Sequence, residues 1–516
     1  MKVSNPVLSG FYPDPSICAV GEDFYLVNST FAYFPGIPVF HSRDLAHWRQ
    51  IGNVLDRPSQ VRLEGCRHSQ GIYAPTIRYH EGVFYVITTN VSGGGSFLVT
   101  AKDPAGPWSE PYFLGEEAPG IDPSLFFDED GACYYVGTRP NPDGVRYNGD
   151  WEIWARELDL AAMKLTGESH MLWKGAMNGA IWPEGPHLYK KDGYYYLLIA
   201  EGGTSIHHSV MAARSRNVYG PYEGNPANPI LTHRHLGKDY PIVNVGHGDL
   251  AADPEGNWYM VMLASRPCQG HTNMGRETFL AKVVWEEGWP VVNPGVGKLE
   301  ECVELPGRAP REPGMEPHFS ETGIYPFLQE KLPLEFMMLR NPPREPFYRL
   351  EPGKLHLCLR AATLKEEANP SYLCVRQRRQ DYETGAVMEF EPEAWGESAG
   401  IAVVQNPFYH VRLEKCSPEG RTQIRAVLCR DGQEETAGSC EVPAGSVLLR
   451  IVNRGQRATF SCETAQGVQT VAENVDMRFL STETAGGFTG CTMGMYASSN
   501  GAESTNTAVF AEFWRI

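Results

Sequence analysis

The stretch YPDPSICAVGEDFYLV, residues 12–27, holds the pattern that decides the fold. Its second half, GEDFYLV (21–27), is a turn with Gly and acidic residues running into aromatic and β-branched ones, which reads as the second strand of a hairpin. The same signature returns as EGVFYVI (81–87), DGACYYVG (130–137), DGYYYLLI (192–199) and EGNWYMVM (255–262). Its tyrosines, Tyr25, Tyr85, Tyr134, Tyr196 and Tyr259, lie 60, 49, 62 and 63 residues apart. A strand-built period of that length marks propeller blades, and five copies predict five blades.

The first half of the stretch recurs as well. Eleven or twelve residues before each tyrosine the chain reads PDPSI, APTI, DPSL, PEGPHL and GHGDL, so Asp14, Ala74, Asp122, Glu184 and His247 occupy one equivalent position. The innermost strand of each blade lines the central channel, and equivalent positions on it form a ring. Pro beside the first four fits a strand start, where the ladder tolerates it. Three carboxylates and a histidine are therefore expected at one mouth of a channel. An isolated Asp-Pro is ordinarily a turn; the repeat frame is what makes Asp14 a candidate.

HSRDLAHW (41–48) and AKDPAGPW (101–108) belong to the outer strands and their turns, and Trp48 and Trp108 read as packing between blades. Past Glu301 the pattern stops. LPGRAPREPGMEPHFS (305–320) reads as a linker, and KLHLCLR (354–360), GAVMEFEP (385–392) and SVLLRIVN (446–453) as antiparallel strands. The expected class is all-β: a five-bladed β-propeller over 1–304, a linker over 305–325, and a β-sandwich over 326–516. At 42% hydrophobic and 21% charged residues the chain is neither disordered nor a coiled coil, and Gly 53 with Pro 39 suits many short strands. A net charge of −17 without a basic patch argues against nucleic acid and anionic membrane, and tolerates a neutral ligand such as a sugar. No run reaches membrane-span length, the N-terminus has no apolar leader, and the 12 cysteines form no C-x-x-C pair, so a cytoplasmic protein with reduced thiols is expected.

Paired carboxylates facing one another across a pocket are the machinery of glycosidic hydrolysis: one stays protonated to donate to the leaving oxygen, the other stays ionised. Glu184 is the expected acid, with Trp182 and Pro183 supplying apolar walls. Asp14 is the expected base, and Asp122 the third charge that keeps Glu184 protonated. Taken together, YPDPSI (12–17), GIDPS (120–124), WPEGP (182–186), AEGGT (200–204), NVGHGDL (244–250) and GRET (275–278) resemble glycoside hydrolase family 43. That resemblance implies a five-bladed propeller, inversion at the anomeric carbon, and the same roles for Asp14, Asp122 and Glu184. It also implies that Arg276 contacts the sugar near Asp122. His247 resembles a channel histidine beside which many members hold calcium or a bridging water. Calcium takes six to eight oxygens, so His247 could hold it only with waters, and the chemistry itself requires no cofactor. The C-terminal part, including SYLCVRQRRQ (371–380), resembles the sandwich of the β-xylosidase and α-L-arabinofuranosidase branch.

Four further residues are expected at the pocket. Phe31 precedes FPGIP (34–38), read as loop at the channel mouth. Tyr73 stands where xylosidases of the family tend to carry Trp, which implies a broader pocket edge and arabinofuranosidase activity. Trp182 flanks the acid, and Phe488 in GGFTG (486–490) reaches over from the sandwich. Glu201 and Thr204 are expected to cap the fourth hairpin. The leading expectation is an exo-acting inverting hydrolase releasing terminal xylose or arabinofuranose from oligosaccharides. A non-catalytic carbohydrate-binding propeller and a retaining fructosidase-like hydrolase are the alternatives, and the sequence is compatible with a homo-oligomer.

Overall fold

A computed structural model describes residues 1–305, 319–341 and 346–516. Most of the stretch read as linker lies outside them. Five four-stranded antiparallel sheets follow one another along the chain, each built in sequence order from an inner strand outward. The inner strands are Ser16–Val20, Thr76–His80, Ile121–Phe127, Glu184–Lys191 and Val243–Ala252. The tyrosine signature falls on the second strands, Asp23–Val27, Val83–Asn90, Cys133–Pro140, Tyr194–Glu201 and Trp258–Ser265. Turn chemistry sets the registers: Glu81 and Gly82 (φ 48° and 84°), like Asp192 and Gly193 (φ 50° and 72°), form two-residue turns whose positive φ matches strand twist. Trp48 and Trp108 are buried, as interblade packing requires.

Two devices close the propeller. Lys2–Ser4 pairs antiparallel with Cys302–Glu304, and Leu8 exchanges backbone hydrogen bonds with Thr278 of the last blade. Beneath the channel mouth Asp249, fully buried, accepts from Arg78 at 2.8 and 3.0 Å, from Ser16 Oγ at 2.6 Å and from Tyr189 Oη at 2.5 Å. One carboxylate thereby ties the inner strands of blades 1, 2, 4 and 5. Burial raises its pKa, but Arg78, His187 and the Ser16 hydroxyl outweigh that and hold it far below the usual carboxylate range.

The C-terminal part is a β-sandwich of two eight-stranded sheets. Its first strand, Gly323–Tyr325, pairs with Thr507–Arg515 inside the stretch read as linker, so the sandwich starts ahead of residue 326. The outermost strand of the second sheet, Tyr33–Phe34, comes from blade 1 and pairs with Met337–Leu339. FPGIP is therefore not loop: Phe34 ends this strand and Gly36–Ser42 is the third strand of the blade. The physical reason is cover, because the rings of Tyr33 and Phe34 are both buried once the sandwich edge lies on them, and the Tyr33 hydroxyl finds Thr492 of the sandwich at 3.0 Å. One apolar core runs from Val39, Val54, Ile77 and Val86 of the propeller into Leu373, Ile401, Leu449 and Phe510 of the sandwich.

Candidate active site

All five ring positions, Asp14, Ala74, Asp122, Glu184 and His247, line one pocket of about 290 Å³. The inner strands are irregular where they deliver them. The ladder breaks register at Ile121/Ser124, Glu184/His187 and Val243/Gly246. Asp14, Asp122 and His247 have left-handed φ of 49°, 52° and 53°. Such bulges re-aim side chains, and left-handed backbone in a non-glycine residue costs about 1–3 kcal/mol, a cost typical of sites held by their surroundings.

The carboxylates differ in what surrounds them. Asp14 Oδ2 accepts from Ser29 Oγ at 2.6 Å and Oδ1 from Arg276 Nη1 at 2.7 Å, with His247 Nδ1 at 4.0 Å. Burial alone would raise its pKa, but Arg276, His247 and the Ser29 hydroxyl outweigh burial and hold it below the ordinary aspartate value. Asp122 Oδ2 accepts from the Gly185 N–H at 3.1 Å; burial and the charge of Asp14 push it up to about 6 against the pull of His247. Burial, then the charges of Asp122 and Asp14, drive Glu184 well above the ordinary glutamate value, opposed by Arg276. The same pocket thus holds one carboxyl as an anion and another as an acid.

Arg276 lines the pocket with Asp122 and pairs with Asp14, and its guanidinium sits 5.8 Å from the Phe31 ring and 5.6 Å from that of Phe488. The next residue, Glu277, explains the placement: buried and paired with Arg266 at 2.7 Å, it also takes the Gly10 N–H, fixing the strand that carries Arg276. Phe31, Tyr73, Trp182 and Phe488 all line the pocket. Phe31 meets Phe488 near parallel at 6.2 Å and Tyr73 edge-on at 5.3 Å. The Tyr73 hydroxyl donates to the Ser69 carbonyl at 3.0 Å, so it is committed to the wall. Trp182 packs on Gly203, where a Cβ would come within 2.7 Å of the indole. Gly203 of AEGGT is thus room for this ring, while Glu201 accepts from the Ala176 and Met177 N–H groups and serves as a loop anchor. Thr204 does more than cap: it lines the pocket, 3.4 Å from Arg276.

His247 lies over Gly185, whose Cβ would stand 2.9 Å from the ring. Both Asp14 oxygens and one of Asp122 are already engaged. A calcium ion on His247 would therefore take most of its oxygen ligands from water. Ile121, Trp151 and His208 also line the pocket, and the sequence reading did not single them out. The repeat marks one position per blade; Trp151 opens a third strand and His208 precedes one, positions that the repeat frame does not index.

Residues 3–290 match the family model for glycosyl hydrolases family 43, and residues 325–514 that for the β-xylosidase C-terminal concanavalin A-like domain. A xylosidase/arabinosidase of Butyrivibrio fibrisolvens is 53% identical over 99% of this chain and 98% of its own length. A non-reducing end α-L-arabinofuranosidase of Bacteroides ovatus is 40% identical over 99% of this chain and 94% of its own. The crystal structure of a xylan β-1,4-xylosidase from Bacillus halodurans superposes with a TM-score of 0.92 at 32% identity, covering 99% of both chains.

Proposed function

This chain belongs to glycosyl hydrolase family 43, and from that premise we infer that it is an exo-acting, inverting glycoside hydrolase that releases terminal xylose or arabinofuranose from short oligosaccharides. The observation that carries the reading is that one pocket pairs Asp14 with Arg276 and the Ser29 hydroxyl and buries Glu184 beside Asp122, surroundings that drive the two carboxyls apart. Glu184 donates its carboxyl proton to the glycosidic oxygen as the bond to the anomeric carbon breaks. Asp14 takes a proton from a water that attacks the same carbon from the other face, so the configuration inverts. The turn ends with Glu184 ionised and Asp14 protonated, and solvent restores both. Asp122 keeps the acid protonated through its charge and, through the Gly185 N–H, fixes the strand start that carries it.

Phe31, Tyr73 and Phe488 wall one side of the pocket, which suits a blind site taking a chain end. A hexopyranose would add a hydroxymethyl group that leaves buried polar groups unpaired, whereas xylopyranose and arabinofuranose place hydroxyls similarly. Calcium, if bound at His247, is held mainly by water and takes no step in this reaction. Among the described residues no helix is long and apolar enough to cross a membrane.

The test is kcat/KM on nitrophenyl β-D-xyloside, α-L-arabinofuranoside and β-D-glucoside, with proton NMR of the first-formed sugar. Activity on the two pentosides with inverted product is expected. A glucoside as best substrate overturns the pentose assignment, and retained configuration overturns the base-activated water.

A further inference from the structure

Phe488 belongs to the sandwich, yet both its backbone polar groups are spent on the propeller. Its N–H donates to Ser69 Oγ at 3.0 Å, and its carbonyl accepts from Arg276 Nη2 at 3.3 Å. The loop bringing it there is a poor support for a fixed ring, since Gly486 and Gly487 precede it with φ of 68° and 82° and Gly490 follows. The loop's placement is set at its two ends. At one, the Glu483 carboxylate clasps Thr272, accepting from its N–H at 2.7 Å and its hydroxyl at 2.8 Å, while the Thr482 N–H donates to the Thr272 carbonyl at 3.0 Å. At the other, the Cys491 N–H donates to Asn273, and Gly490 lies so close to Gly275 that a Cβ on either could not fit. Thr272 lies three residues before GRET, which Gly275 opens and which carries Arg276. Glu483 itself does not line the pocket.

We propose that Glu483 is a positioning residue for sugar binding, its clasp on Thr272 holding the glycine-hinged loop so that Phe488 closes the pocket beside Arg276. This rests on the pocket being the pentose site. A carboxylate accepting two hydrogen bonds from one residue is geometrically specific as well as strong, and here it joins the two domains beside the wall that the sugar must meet. Loosening it frees the wall in the ground state and in the transition state alike, so binding suffers and the chemical step does not.

The experiment uses the full chain with Glu483→Ala and Glu483→Gln, measured on nitrophenyl β-D-xyloside and α-L-arabinofuranoside. Glu483→Ala should raise KM about tenfold with kcat within about threefold of wild type. Glu483→Gln, which keeps one acceptor for Thr272, should fall between. Hydrogen exchange at residues 486–490 should quicken in the same order. An unchanged KM overturns the proposal, whether or not kcat falls with it. Should the wild type hydrolyse neither pentoside, the proposed function falls instead; the exchange measurement then decides the clasp, and unchanged exchange overturns it.

Discussion

Asp14 on blade 1 and Glu184 on blade 4 come from the same repeat position and face the same pocket, yet their surroundings drive them apart. Blade 1 and the last blade give Asp14 a hydroxyl, a guanidinium and an imidazole. Blades 3 and 4 give Glu184 apolar Trp182 and Pro183 and the charge of Asp122. A propeller repeats its backbone but not its side chains, so two blades can hold one carboxyl ionised and another protonated in a single pocket. Identity of position settles where a group points; the company it keeps settles what it does.

The largest effect expected from breaking this contrast is on the ionised side. Asp14→Asn removes the base and should lower kcat/KM by about 10²–10⁴-fold on every substrate, whatever its leaving group. Steady-state rates on aryl pentosides and on xylobiose check this; a variant retaining activity on either shows that another group activates water. Next comes the charge between the two sides. Asp122→Asn removes one cause of the raised Glu184 pKa, so the alkaline limb of the kcat/KM profile should move to lower pH, and neutral-pH activity should fall about tenfold to a hundredfold. An unmoved alkaline limb would separate Asp122 from the acid.

Smaller effects sharpen the contrast. Tyr73→Trp enlarges the ring and breaks the bond to Ser69, and should shift the ratio of kcat/KM for xyloside over arabinofuranoside by about three- to tenfold toward xyloside. The smallest concerns stability. A carboxyl whose folded pKa is raised contributes its stability below its unfolded value and loses it as pH rises through the folded one. Glu184 therefore destabilises the native state progressively above the ordinary glutamate range, and Glu184→Gln does not. The variant should melt roughly 1–4 °C above wild type at pH 7 and together with it near pH 4.5. A lower melting temperature at pH 7 would contradict the account of Glu184 as a buried acid.

How much of this was legible in the sequence follows from what repeats. The tyrosine strands and the ring of Asp14, Ala74, Asp122, Glu184 and His247 share a frame, and the fold brings all five ring residues to one pocket. Tertiary partners leave no such trace. Nothing in FPGIP announces that Phe34 pairs with Met338, a contact made across more than half the chain. Arg276 was legible as a site residue through GRET, but its partner was not, because the blade that faces Asp14 is set by closure of the ring. Trp151 and His208 carry no repeat signal at all, and Glu483 is one acid among many until Thr272 is seen beside it.

The central claim is that Glu184 is the proton donor and Asp14 the base, and the leaving group tests it most directly. The measurement is kcat/KM for Glu184→Gln on xylobiose and on dinitrophenyl β-D-xyloside, whose phenolate leaves with little need of a proton. The account predicts a loss of about 10²–10⁴-fold on xylobiose and a far smaller loss on the dinitrophenyl substrate. Equal losses on both would contradict it.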